Sequence, residues 1–190
     1  MILKAIHGRH VRIYDARQVV SVDRFKCSFD VFNRRKKLDR VRLVDLASID
    51  DGEKQAFDGV VRLFCDELSV SPGDVLVELQ RRRSVDADDD DRDEEKIAEE
   101  EEEGKGVAAD HRLGGVLCVA RRNAWGGKER FVVEAHRKSF DRDLPVGHVA
   151  FLDVDRISHE STPVEPVNPA FEGHVDVIHV LVRRRRADSR

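Results

Sequence analysis

The side chains of this sequence best suited to chemistry are its clustered cations: Arg34-Arg35-Lys36-Lys37, Arg81-Arg82-Arg83, Arg121-Arg122, and Arg183, Arg184, Arg185 and Arg186. Guanidinium groups pair with phosphate or carboxylate oxygens two at a time, and neutralising phosphates releases counterions. Each cluster falls at a strand end or turn, where side chains are expected to be free. Together they predict a surface for RNA or another polyanion. Stacking platforms for bases are scarce, because aromatic residues make up only 6% of the chain. Trp125, Tyr14, Phe57 and Phe140 look available for that role. No RRM, KH or zinc-finger signature accompanies them.

Trp125 is the lone tryptophan and sits in the turn Asn123-Ala124-Trp125-Gly126-Gly127-Lys128, beside Arg121 and Arg122. Tryptophan in an exposed turn is a typical interface anchor, so Trp125, Arg121 and Arg122 form a candidate contact surface for a protein partner or a second copy of the chain. The competing reading folds the indole back over the edge of the domain.

Catalytic and metal signals are thin. The eight histidines show no HExxH or HxH spacing. His174 and His179 lie five apart on a presumed strand, which puts them on opposite faces. Asp153-Val154-Asp155 has the form of a DxD divalent-metal motif, a short and weak pattern. GxSxG, P-loop and GxGxxG are absent. No nucleophile, base and electrostatic stabiliser can be read together, so the balance falls against an enzyme without settling it. No catalytic residue, metal or cofactor is assigned. Cys27, Cys65 and Cys118 share no short spacing and each sits in an apolar run, which reads as buried free thiols.

The elements that must carry these residues follow from charge and periodicity. Asp86 to Glu103 holds 13 acids against 2 bases, while the whole chain is −4, so the remainder is a basic body of +7. The stretch 84–113 is too polar to bury a core and reads as a disordered acidic loop insertion within a single domain spanning 1–190. Its readings are a solvated insert, a screen over the basic clusters, or a docking strip for a basic partner. Period-two alternation marks strands at 25–31, 75–81 and 129–137, and runs apolar on both faces mark central strands at 60–65, 116–120 and 175–182. Further strands are expected at 9–14, 18–23, 40–46 and 148–154. Ser71-Pro72-Gly73 predicts a hairpin turn between strands 60–68 and 74–81, and the Trp125 turn a second hairpin between 115–122 and 129–137. A short helix is expected over 49–57, and Ser161 to Pro169 reads as a polyproline-like connector.

The fold class is therefore mainly β, an antiparallel β-sandwich or barrel-like domain. No leader and no apolar run long enough to span a membrane is apparent, so a cytoplasmic or nuclear rather than secreted protein is expected. The expected role is a non-catalytic protein-interaction or scaffold module of unknown partner. The alternative is a binder of RNA or another polyanion, modulated by the acidic loop.

Overall fold

A computed structural model of the chain describes residues 10–25, 40–42, 51–84, 110–133, 135, 138–153 and 155–183. Three of the expected features fall outside these residues: the strand 25–31 beyond Phe25, the clusters Arg34 to Lys37 and Arg184 to Arg186, and positions 85–109 of the acidic stretch.

The fold is mainly β, with antiparallel pairing throughout its sheets. In chain order the elements are β1 (Val11–Asp15), β2 (Arg40–Arg42), α1 (Asp51–Leu68), β3 (Val75–Arg83), β4 (His111–Arg122), β5 (Ala124–Gly126), β6 (Glu129–Val133), β7 (Lys138–Arg142), β8 (His148–Leu152), β9 (Ile157–Ser161), β10 (Val164–Pro166) and β11 (His174–Arg183). The major sheet runs β1-β8-β4-β11-β3-β2, a minor sheet runs β7-β6-β9, and β10 pairs with β5. His111 to Leu113 begin β4, and Ser84 bridges to Val164. Both margins of the stretch 84–113 are thus ordinary parts of the sheet framework.

Two cores lie on opposite faces of the major sheet. On one face α1 buries Ala56, Phe57, Val60 and Phe64 against Leu79, Leu117, Val119, Phe151 and Ile178. On the other, Val116, Cys118, Val175 and Val177 meet Phe131 and Ile157 of the minor sheet. β11 is central to both, flanked by β4 and β3, and its apolar run needs cover on each face.

The helix corrects the sequence reading at 60–65. Val60 to Cys65 looks like a strand because its apolar residues are contiguous and β-branched. The buried positions Glu53, Ala56, Phe57, Val60 and Phe64 instead recur at three and four, the period of one helical face. The helix ends where Ser69 adopts φ 55°, and Pro72–Asp74 turns the chain into β3. The expected reversal is present, but it joins a helix to a strand. Residues 18–23 form a turn leading into the single helical turn Val22–Phe25 rather than a strand, because Phe25 must reach the ring of Phe57, 4.8 Å away edge-on.

The second expected hairpin is also corrected. β4 and β6 belong to different sheets, and 123–128 is the crossover between them. Positive φ at Asn123, Gly126 and Gly127 lets the chain leave one layer for the other. Ser161 to Pro169 is not a free connector, since Val164–Pro166 pairs with β5 through Val164↔Gly126 and Pro166↔Ala124.

Candidate functional site

Alternation along β3 sends neighbouring arginines to opposite faces of the major sheet. Arg81 lies on the α1 side, 3% exposed, where Nε and Nη2 donate to the two oxygens of Asp176 at 2.6 and 2.7 Å. Arg82 lies on the side facing the minor sheet, 8% exposed. Its Nε donates to Gln80 Oε1 at 2.9 Å, Nη1 to Glu129 Oε1 at 2.7 Å, and Nη2 to His179 Nε2 at 3.0 Å. Glu129, from β6, is 1% exposed and takes His159 Nε2 of β9 on its second oxygen at 2.5 Å. The rings of His159 and His179 meet edge to face at 5.5 Å, and Phe131 lies against His159. Four strands from two sheets thus bring Arg82, Glu129, His159 and His179 to one inter-sheet centre.

Protons can be placed from donor chemistry. Burial pushes the Glu129 carboxyl up, but the hydrogen bond from His159 together with the charge and hydrogen bond of Arg82 outweighs it, and the group lies below its ordinary value. Glu129 is therefore an ionised acceptor at neutral pH, and Nε2 of His159 carries the proton between them. A guanidinium only donates, so Nε2 of His179 accepts and its proton sits on Nδ1. The centre offers one permanent cation, one carboxylate and two imidazoles in different tautomeric roles.

These positions overturn the expectation that Arg81, Arg82 and Arg83 are free strand ends for a polyanion. Arg81 and Arg82 are buried in ion pairs, and Arg83 donates to both oxygens of Glu172 at 3.0 and 3.2 Å. Arg121 is committed as well, donating to the carbonyl oxygens of Gly126 and Gly127 and so bracing the crossover. Arg122 is exposed at the end of β4, and Arg183 lies at the end of β11 with Nη1 4.0 Å from Asp74. Trp125 stands out from β5, 66% exposed, and does not fold back over the domain edge. Phe57 is core, while Tyr14 and Phe140 pack partly buried against Phe151 and Phe131, so none of the three is a stacking platform.

His174 and His179 do lie on opposite faces, His174 on the Arg81 side with Nε2 4.0 Å from Asp176. Burial, with Arg81 and Arg122 nearby, holds His174 below the ordinary imidazole value against the opposing pull of Asp176 and Glu172. Asp153 and Asp155 flank no strand face. Asp153 takes His10 Nδ1 on one oxygen and the backbone N–H of Asp155 on the other, which closes a turn. Among the described residues no group of three or more His, Cys, Asp or Glu side chains is placed to hold a metal ion. Cys65 and Cys118 are free thiols. No helix among the described residues is long and apolar enough to cross a membrane.

The sequence reading missed Glu129, His159 and His179 as a site and misplaced Arg82. The separations explain this: 47 residues from Arg82 to Glu129, 30 from Glu129 to His159 and 97 from Arg82 to His179. The one local signal was alternation, which puts the polar Gln80 and Arg82 on the same face of a buried strand.

No protein-family profile and no curated protein matches the sequence. Solved structures match its fold. A prolyl-4-hydroxylase from Pseudomonas putida is 17% identical with a TM-score of 0.51, covering 94% of this chain and 95% of that one. IDO from Bacillus thuringiensis is 11% identical with a TM-score of 0.54, covering 94% and 91%. A Burkholderia pseudomallei oxidoreductase of the 2OG-Fe(II) oxygenase family is 12% identical with a TM-score of 0.46, covering 95% and 89%. Another matching structure is longer, and the chain spans about half of it, 51%. The architecture is thus that of a hydroxylase along almost its whole length. This corrects the expectation of a non-catalytic interaction or scaffold module, and of its polyanion-binding alternative.

Proposed function

We propose that the chain is an oxidoreductase of the oxygenase type, acting at the inter-sheet centre of Arg82, Glu129, His159 and His179 on a small-molecule or peptidyl substrate. The observation that carries this reading is the buried ionisable centre itself. Taking charges out of water costs several kcal/mol per ion, and well-packed apolar residues of similar volume would serve stability as well or better. Ionisable groups converging in the interior mark a site where their chemistry is used. The reach of the fold likeness to a prolyl-4-hydroxylase, across 94% of this chain, supports the reaction class.

The name carried by the Burkholderia structure implies iron and 2-oxoglutarate. The described residues do not fit an iron centre as they stand. Both oxygens of Glu129 are taken, one by Arg82 and one by His159, and no third donor completes a set. No step is therefore routed through a metal. The side chains themselves can hold a proton at His159 Nε2, accept one at His179 Nε2 and present a guanidinium to an anionic ligand. The free thiols of Cys65 and Cys118 suit a reducing compartment, cytoplasm or nucleus.

Oxygen uptake with Fe(II) in excess, 2-oxoglutarate, and a panel of proline-containing peptides and free amino acids tests the reading. The expected result is uptake that requires 2-oxoglutarate and falls roughly 10²-fold in His159→Ala. A folded wild-type chain that consumes no oxygen above the protein-free blank would overturn it.

A further inference from the structure

One guanidinium stands between the donors that a metal ion would need. Arg82 Nη1 is 2.7 Å from Glu129 Oε1, and Nη2 of the same group is 3.0 Å from His179 Nε2. His159 reaches the other oxygen of Glu129, and its ring touches that of His179. Two imidazoles and a carboxylate are a donor set suited to a divalent transition metal. Such an ion needs its nitrogen and oxygen donors at about 2.0–2.2 Å. Here they are held at hydrogen-bond spacing around a cation that is already present. A second cation in the same space would repel the first in surroundings that screen charge poorly.

We propose that Arg82 is the resident cation of this centre and competes with a divalent metal for Glu129. Metal reaches the His159–Glu129–His179 group only when the guanidinium is displaced, so Arg82 sets the metal affinity of the chain. The inference takes its biological meaning from the oxygenase reading and rests on it there, but its test does not use turnover.

Co(II) alone is the probe, followed by calorimetry and by its visible absorption bands, on the full chain. Arg82→Gln is expected to bind Co(II) at least about tenfold more tightly than wild type, the scale on which neighbours of metal ligands tune affinity. Arg82→Lys, which keeps the cation, stays near wild type. Arg82→Gln combined with Glu129→Gln loses the gain. If Arg82→Gln is unfolded without metal, because Glu129 has lost its countercharge, Co(II) restores its melting transition. Wild type binding as tightly as Arg82→Gln, a gain that survives Glu129→Gln, or an unfolded Arg82→Gln that Co(II) leaves unfolded each overturns the proposal. An inactive chain whose Co(II) affinity still responds to Arg82 sinks the oxygenase reading alone.

Discussion

Adjacent arginines in β3 have separate fates, and each can be tested by itself. Arg81 and Asp176 form a bidentate pair sealed between the major sheet and α1. Removing one partner leaves the other charge buried, so Asp176→Ala should cost about 3–5 kcal/mol, whereas the paired change Arg81→Met with Asp176→Leu should be near neutral. Urea denaturation of the three proteins checks this, and a double variant as unstable as the single would contradict it. Cys118 offers a chemical readout of the same interior. Burial pushes its thiol up to about 12, well above the ordinary 9.0. A thiol reagent at neutral pH should therefore modify Cys65 while Cys118 stays unreacted until the chain unfolds. Residue types were legible in the sequence, but their partners were not. Arg81-Arg82-Arg83 reads as one basic run because a one-letter string does not show which side of a strand each residue takes or which distant carboxylate awaits it.

At the scale of elements, the strands with clear alternation or a long apolar run were legible: 75–83, 111–122, 148–152 and 174–183 lie close to where periodicity places them. The failures share a cause. Val60 to Cys65 is apolar enough to satisfy either period, and only its continuation back to Glu53 reveals the helix. Short strands such as 157–161 and 164–166 bury so few residues that their pairing is decided by partners far along the chain. Contact between α1 and the sheet depends on a missing side chain. A Cβ at Gly115 would lie 2.2 Å from the carbonyl oxygen of Ala150 and 2.5 Å from the ring of Phe64. Gly115→Ala should therefore part α1 from β4 and cost about 1–3 kcal/mol or more. Its denaturation midpoint, beside that of the exposed control Gly73→Ala, reports the effect. Equal midpoints for the two would contradict the packing described.

Across the whole molecule, stability should fall on acidification in two stages. His174 is kept neutral by burial, while the unfolded chain takes up a proton there near the ordinary 6.5. The unfolded state then binds more protons, so stability drops as pH falls through that value. Glu129 has a depressed folded value, so its contribution is complete above the ordinary 4.5 and is lost as pH falls through the folded value. Urea midpoints between pH 8 and pH 3 should show both declines, and His174→Gln should remove the upper one alone. The fold class was legible at this scale because alternation and turns add up over many segments. The centre was not, since it exists only once two sheets have met.

β11 lies between β3 and β4, although it is the last strand in the described chain. During synthesis the ribosome therefore delivers both neighbours before the strand that joins them. Until residues 174–183 emerge, β3 and β4 each present an unpaired edge, and Arg82 has no His179 to meet. The major sheet has to close after its other strands have been made, through pairings of long sequence separation that form slowly. A nascent chain halted before His174 is thus a natural client for chaperones, and the maturation of the centre is timed by the arrival of a single strand.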